Sequence, residues 1–457
     1  MSNKTSNESA GQNEKLQTQR EPEPAATDAV EQTAQADNLT AGGHPLPADW
    51  LRRIVFIWIG YAVAMLAGSA ASYACIWYAT ETTGSPMSLA LLYVLAFLPT
   101  GLLSPFGGVL ADRFNRKTII VVCDALMAVA SLALAAWVFF AGPDFLPVAL
   151  YCAAYGLVSG FRTPAYNATM PLLVPARHLV RINSMDTLLG SISLIAGPAL
   201  GILLYTSFGL QSTLLMGSVG AAIAAATMLL AVIPADQGTR EQIGAWASLR
   251  EGAAALAEKR GLLVLTIGVS LGMLAYGPLD SLLPLMVHNH FGGDGLAASL
   301  VAAVMGIGLL VGSVALMIVN PQRKLARIIV VAAFIVGGGA AVSGLIPSTG
   351  FWIFVVCIGI LAIACAWFNA PLMTLLQKGV PEEKLGRVMG LFTAMNGMAI
   401  PAGTAVGGAI AEVTGTPLFF LIDGIFLLLL ATVLAFSKSV RELDADPSEQ
   451  PAEKPAS

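Results

Sequence analysis

Gly107-Gly108-Val109-Leu110-Ala111-Asp112-Arg113-Phe114-Asn115-Arg116-Lys117 ends one apolar run and leads into the next. Its three bases sit at the junction and decide how the chain is read. A helix needs about 20 apolar residues to cross a hydrocarbon core of about 30 Å. Outward from this junction such runs recur near 54–79, 87–111, 118–141, 147–170, 184–207, 211–233, 262–287, 295–319, 326–346, 351–376, 387–411 and 416–437. They lack the short alternation of barrel strands and are rich in Leu, Ala and Met, so they predict twelve transmembrane helices.

Composition agrees. Of 457 residues, 56% are hydrophobic and 11% charged, against about 25% charged in a soluble domain. Mean hydropathy is +0.74. The net charge of −4 is unevenly spread. Residues 1–50 hold eight acids against Lys4, Lys15 and Arg20, whereas 51–437 hold 18 Lys/Arg against 15 Asp/Glu. A slightly basic body suits anionic membrane lipid. No basic stripe points to nucleic acid. Residues 1–50 have no apolar h-region, so no cleavable signal peptide is expected. This segment and 438–457 read as disordered tails.

The bases are sorted by side. Arg52 and Arg53 precede the first span. Arg113, Arg116 and Lys117 follow the second, and Arg177 and Arg181 the fourth. Arg240, Arg250, Lys259 and Arg260 follow the sixth, Arg323, Lys324 and Arg327 the eighth, and Lys378, Lys384 and Arg387 the tenth. Lys438 and Arg441 come after the last. The alternate loops carry no Lys or Arg, only Glu81, Asp144, Asp294 and Glu412. Cations concentrate on the cytoplasmic side, so both termini are expected there, in a bacterial inner membrane.

The connection 234–261 separates two sets of six spans, 51–233 and 262–437, and carries a helical stretch near Ser248–Arg260. The sets echo each other. Val174-Pro175, then Leu179 and Arg181, recur as Val380-Pro381, then Leu385 and Arg387. The same shift carries Gly197 onto Gly403 and Gly201 onto Gly407. Repeated halves with a site between them near the midplane mark secondary transporters.

The loop at 107–117 resembles the first signature of the major facilitator superfamily. Gly108, Asp112, Arg113, Arg116 and Lys117 match it, while Asn115 stands where the family usually has Gly. Asn also tolerates positive φ. Asp112, at the end of one helix, can face the positive N-terminus of another and latch one conformation, with Arg116 holding the carboxylate. The resemblance makes that partner span 11, near Leu385. Gly190 and Gly197-Pro198-Ala199-Leu200-Gly201 resemble the family's antiporter signature, with Ile202 in place of its last Gly. Gly197/Gly201, Gly308/Gly312 and Gly403/Gly407 are small faces for close helix packing; the resemblance implies that spans 5 and 8, and 2 and 11, meet across the halves. Asn167 through Pro171, Val174-Pro175, Leu179, Asn183 and Gly197-Pro198, with Leu249–Gly252, are similar to the exporter branch that includes macrolide efflux proteins and the enterobactin exporter.

Ionisable groups within the membrane are expensive and usually functional. Arg162 is the one Lys or Arg in the middle of a span and resembles the span 4 Arg of drug–proton antiporters. It is a candidate for proton coupling or for an acidic substrate group, with a structural ion pair as the plainer alternative. Asp280, after Gly277-Pro278-Leu279, is the candidate proton carrier. Asp124 reads as a structural partner for nearby bases. Tyr73 and Trp77, one turn apart, and Asn369, beside Trp367 and Phe368, are candidates for lining an apolar cavity.

His288 and His290 are too few ligands for a metal. The five cysteines read as buried apolar residues without disulfides. There is no ATP-binding lysine loop and no reactive cluster typical of an enzyme, so no cofactor is expected. The sequence therefore predicts an all-α, two-half monomeric transporter. It would export a drug, antibiotic or siderophore by proton antiport with alternating access. A proton-coupled uptake symporter or a lysophospholipid flippase would use the same scaffold.

Overall fold

Ser85 and Asn115 each end one helix's territory and open the next. Ser85 Oγ accepts from Ser88 N at 3.2 Å, ahead of a helix whose first residue is Pro86. Asn115 Oδ1 accepts from Lys117 N at 3.0 Å. Side-chain caps of this kind satisfy the orphan amides of a first turn. The computed structural model describes Thr40 and residues 50–231, 245–319, 321 and 323–444. It gives α1 (Trp50–Thr83), α2 (Pro86–Arg113), α3 (Arg116–Ala141), α4 (Phe145–Leu173), α5 (Ala176–Leu230) and α6 (Ala245–Ala257). These are followed by α7 (Arg260–Ser281), α8 (Gly295–Val319), α9 (Leu325–Leu345), α10 (Phe351–Gly379), α11 (Glu382–Thr414), α12 (Thr416–Phe436) and α13 (Lys438–Glu442). A π-helical turn, Met286–His290, lies between α7 and α8.

Among the described residues, 10 helices are long and apolar enough to cross a membrane. α5 holds two expected spans in one helix, broken where Gly209 adopts φ 79°. α11 is outside those ten. The bundle is thus consistent with twelve crossings. Gly415, with φ 82°, breaks the chain between α11 and α12 just as Gly209 divides α5; both conformations suit Gly alone. The repeat reaches backbone angles elsewhere too. Val174 and Val380 share φ −110° and ψ 135°, and Pro175 and Pro381 have φ −58° and −56°.

Within one half α1 packs along α5 and α2 along α4; within the other α7 packs along α11 and α9 between α10 and α12. Small residues make the approaches close. Gly197 faces Ser69 and Gly201 faces Ala70 and Tyr73, all on α1. Gly403 and Gly407 face Leu274 and Pro278 on α7, and Gly308 and Gly312 face α10. These small faces therefore seal each half internally; the contacts between halves use other residues.

Those contacts cluster at the end opposite the bases. Gly101 of α2 meets the Gly397 carbonyl of α11, Gly408 meets Ala90, and Gly306 and Gly295 of α8 meet Ile195 and Ile202 of α5. At the same rim Glu412 Oε2 accepts from Ser85 Oγ at 2.8 Å and from Met87 N at 3.0 Å. Asn289 Nδ2 donates to Gly84 O at 3.0 Å. Toward the basic face the same helices part. A Cβ placed at Gly108, Gly386 or Gly390 would meet nothing within 4 Å.

Three boundaries differ from expectation. The surface helix is Ala245–Ala257 rather than Ser248–Arg260, because Arg260 begins α7. The stretch from 438, expected to be disordered, is helical over Lys438–Glu442, and Asp444 accepts from Ala326 N and Arg327 N at 3.0 and 2.8 Å. Thr40, in the other tail, bridges to Pro175. The rest of the expected tails, 1–39, 41–49 and 445–457, the last two residues of the sixth expected span, 232–233, and linker residues 234–244 lie outside the described residues.

Candidate functional site

The basic loop serves helix ends. Arg116 Nε donates to Ala111 O at 3.1 Å and Nη1 to Ala168 O at 2.9 Å, joining the last turns of α2 and α4. Lys117 Nζ donates to Leu229 O and Ala231 O, each at 2.7 Å, at the end of α5. Terminal carbonyls lack helical partners, and cations stabilise that end. Arg113 is exposed and Gly108 stands in open space. Asp112 lies in the last turn of α2; its side chain is outside the described residues. At the start of α11, Lys384 Nζ is 2.7 Å from Glu258 Oε1, and Arg387 pairs with Glu251 of α6.

Arg162 and Asp124 come together. Arg162 Nε lies 2.5 Å from Asp124 Oδ1, with side chains 15% and 4% exposed. The guanidinium also sits over the Tyr61 ring, 4.9 Å from its centroid. Tyr61 stacks on Tyr166 at 3.8 Å. Tyr166 Oη donates to Asp186 Oδ1 at 3.3 Å, and Trp58 Nε1 donates to the same oxygen at 3.0 Å. α1 to α5 enclose a chamber of about 210 Å³ in one half, with Arg162, Asp124 and Tyr61 among its walls. The sequence singled out Arg162 and Asp124. It left Asp186 without a role, because its position near a helix start gave no sign that Trp58 and Tyr166 converge on it.

A larger cavity of about 690 Å³ lies between the halves, lined toward the basic face by Ser104 and Gly390. Its walls include Phe97 and Thr100, which also line the polar chamber. At its closed end stand Tyr73, Tyr93, Tyr276 and Asp280. Tyr73 and Tyr93 meet edge to face at 6.5 Å. Among the described residues no side chain pairs with Asp280. Tyr276 could have been found in the sequence, since it lies one turn before Asp280 on the same helical face. Tyr93 carried no comparable signal.

Trp77, expected beside Tyr73 in the cavity, is fully buried and meets His288 edge-on at 5.8 Å. The halves close over its turn of α1, so it is core. Asn369 lies on α10 with its side chain outside the described residues. His288 Nδ1 contacts Gly293 O at 3.3 Å and His290 Nε2 contacts Ile346 O at 2.8 Å, so each serves a backbone carbonyl.

The family model described as Major Facilitator Superfamily matches residues 57–346 and 322–457. Macrolide efflux protein A of Streptococcus pyogenes is 32% identical over 87% of this chain and 98% of its own length. The enterobactin exporter EntS of Escherichia coli O1:K1 is 25% identical over 72% of this chain and 79% of its own length. Among solved structures, a point mutant of the nucleoside transporter NupG superposes with TM-score 0.67 at 16% identity, covering 84% of this chain and 100% of its own. A bacterial homolog of the human lysosomal transporter Spinster, in an inward-facing and occupied conformation, also gives 0.67, at 13% identity and covering 88% and 100%. These two likenesses concern the fold.

Proposed function

Because the chain belongs to the Major Facilitator Superfamily, we propose that it exports a hydrophobic or amphipathic small molecule across the bacterial inner membrane, with protons entering as substrate leaves. The observation that carries this reading is the 690 Å³ cavity, sealed at one rim, splayed toward the basic face, and holding at its closed end Asp280, which pairs with no side chain among the described residues. Two relatives are named for macrolide efflux and enterobactin export, so drugs and siderophores are the first candidates.

In this reading the basic face is cytoplasmic, both termini lie there, and the cavity stands ready to load from the cytoplasm. Residues 51–233 and 262–437 rock as two bodies in one monomer, tethered by 234–261. Closing the basic face brings the end of α2 toward the start of α11, where Asp112 meets a helix N-terminus and latches the outward state. Asp280 carries the proton. The Arg162–Asp124 pair tunes the chamber beside it.

Transport into inverted membrane vesicles with an acidified interior, across a panel of macrolides and siderophores, tests the proposal. Uptake that follows acidification and collapses with a protonophore is the expected result. Substrate moving only in the opposite sense, or without regard to the gradient, overturns it.

A further inference from the structure

A separate chamber of about 180 Å³ lies inside the half formed by 262–437, walled by α7, α8, α9, α10 and α12. Among the described residues no charged side chain lines it. Every residue of its wall is buried or partly buried, so none stands on the exposed surface of the bundle. Tyr276 borders the chamber and also the 690 Å³ cavity between the halves. One side chain of α7 therefore stands between the two spaces.

Small residues keep the chamber open. Gly272, Ala333 and Cys365 contribute little volume to its wall. A Cβ on Gly272 would come within 2.6 Å of Phe368 Cζ, so the ring tip rests where a larger residue would stand. Protein interiors hold few voids larger than a water molecule, and an unfilled void costs stability in proportion to its volume. Water is a poor filling here. It needs about two to four polar partners, and among the described residues the Tyr276 hydroxyl is the one side-chain oxygen or nitrogen in the wall. Apolar cavities of about 150 Å³ stay dry and bind benzene.

We propose that this chamber is a subsite for an aromatic ring, the end of a ligand whose remainder lies in the main cavity. The inference rests on the reading above that the main cavity holds the substrate, and it gives that substrate an aryl arm. The wall favours a ring over a chain. Met273 and Cys365 bring polarisable sulfurs, which make favourable contacts with aromatic rings, often at the edge. Phe368 and Tyr276 offer rings for edge-to-face packing. A rigid ring also loses less freedom on entry than an alkyl chain that must coil to fill the same space.

The test keeps the whole chain in lipid nanodiscs. It reads the rate at which methyl methanethiosulfonate modifies Cys365, by mass spectrometry of the peptide that carries it. Cys357, also on α10 but outside the chamber wall, is the internal control. Three nonionic probes share a tetraethylene glycol head and a hexyl chain. The chain ends in phenyl, in pyrenyl, or in a plain butyl extension, and toluene serves as the free ring. Toluene and the phenyl-ended probe should each slow Cys365 at least about fivefold and leave Cys357 within about twofold. The plain chain and the bulky pyrenyl end should slow it by less than about twofold. Ala333 and Leu427 line the chamber and not the main cavity. Ala333→Leu fills the space and should abolish protection. Leu427→Ala enlarges it and should let a naphthyl-ended probe protect at least as well as the phenyl-ended one.

Protection by toluene alone would mean a chamber closed to cavity ligands, and it overturns the inference. So does protection by none of the probes, equal protection by the plain chain, or protection that survives Ala333→Leu. The ranking of probes on the unaltered protein decides the matter if a variant fails to fold. Protection is read without a gradient, so its outcome is separate from transport direction. A chain that exports while Cys365 stays unprotected sinks this inference alone. Ring protection in a chain whose transport ignores the proton gradient sinks the export reading alone.

Discussion

The two halves share turns and close contacts but differ inside. Each encloses a chamber in the same place. One, about 210 Å³, is polar, with Arg162, Asp124, Tyr61 and Ser159 among its walls. The other, about 180 Å³, is walled by Ala333, Cys365, Phe368, Leu427 and their neighbours. The shift that carries Pro175 onto Pro381 carries Arg162 onto Phe368, Ser159 onto Cys365, Met127 onto Ala333 and Ala221 onto Leu427. It also sets Asp124 opposite Val330. The repeat has kept what builds the scaffold, while the ion pair of this chamber stands in one half and apolar residues take its place in the other. Buried charge is expensive and needs a purpose, whereas a Val-Pro turn or a left-handed Gly is needed wherever the backbone follows that path.

Exchanging the chambers' contents is the strongest way to break this comparison. Arg162→Phe alone leaves Asp124 buried without its cation and should destabilise by about 3–5 kcal/mol. Adding Asp124→Val, as in the other half, should recover most of that loss in thermal unfolding, because a buried pair replaced by apolar groups is often neutral. Transport should stay lost in the double variant. Normal transport there would mean that the polar half is merely a scaffold.

The shared contacts can be sharpened next. A methyl at Gly403 would strike the Leu274 backbone, whereas at Gly197 it would strike the Ser69 side chain, whose hydroxyl can turn away while its Cβ still presses at 2.8 Å. Gly403→Ala should lower stability by about 1–3 kcal/mol and Gly197→Ala by less, as read by melting in detergent. An equal effect would show that the two seams are stiffer partners than their atoms suggest.

A smaller effect is expected at the rim where the halves meet. Glu412→Gln weakens the charged cap on α2 by about 1 kcal/mol. Distances between spin labels placed across that rim should then show a larger open fraction; an unchanged distribution would assign closure to helix packing alone. The smallest effect belongs to Lys384→Ala. Its pair with Glu258 is exposed, so stability should move by less than about 0.5 kcal/mol. A larger drop would mean that α6 is fastened to α11 chiefly by charge.

Much of the fold was legible because apolar length and the sorting of bases are set by the bilayer itself, before any tertiary contact. Arg162 and Asp280 were legible for the same reason, as ions where lipid forbids them. What stayed hidden depended on neighbours. Gly197 and Gly403 announce a face that wants a close partner, but α1 and α7 as those partners are tertiary facts. Tyr73 and Trp77 share a helical stripe, yet only the level at which the halves touch decides that one faces the cavity and the other the core. Asp186 reads as ordinary until Trp58 and Tyr166 arrive from other helices.

The grip of Asp444 on the first amides of α9 bears on how the protein can be handled. Hydropathy invites trimming after Phe436, where α12 ends, and fusing a reporter there. Such a cut would strip α9 of its cap and unseat α13, whose Val440 is buried. A tag joined beyond residue 444 spares both, so the serviceable edge of this transporter lies several residues past its last greasy one.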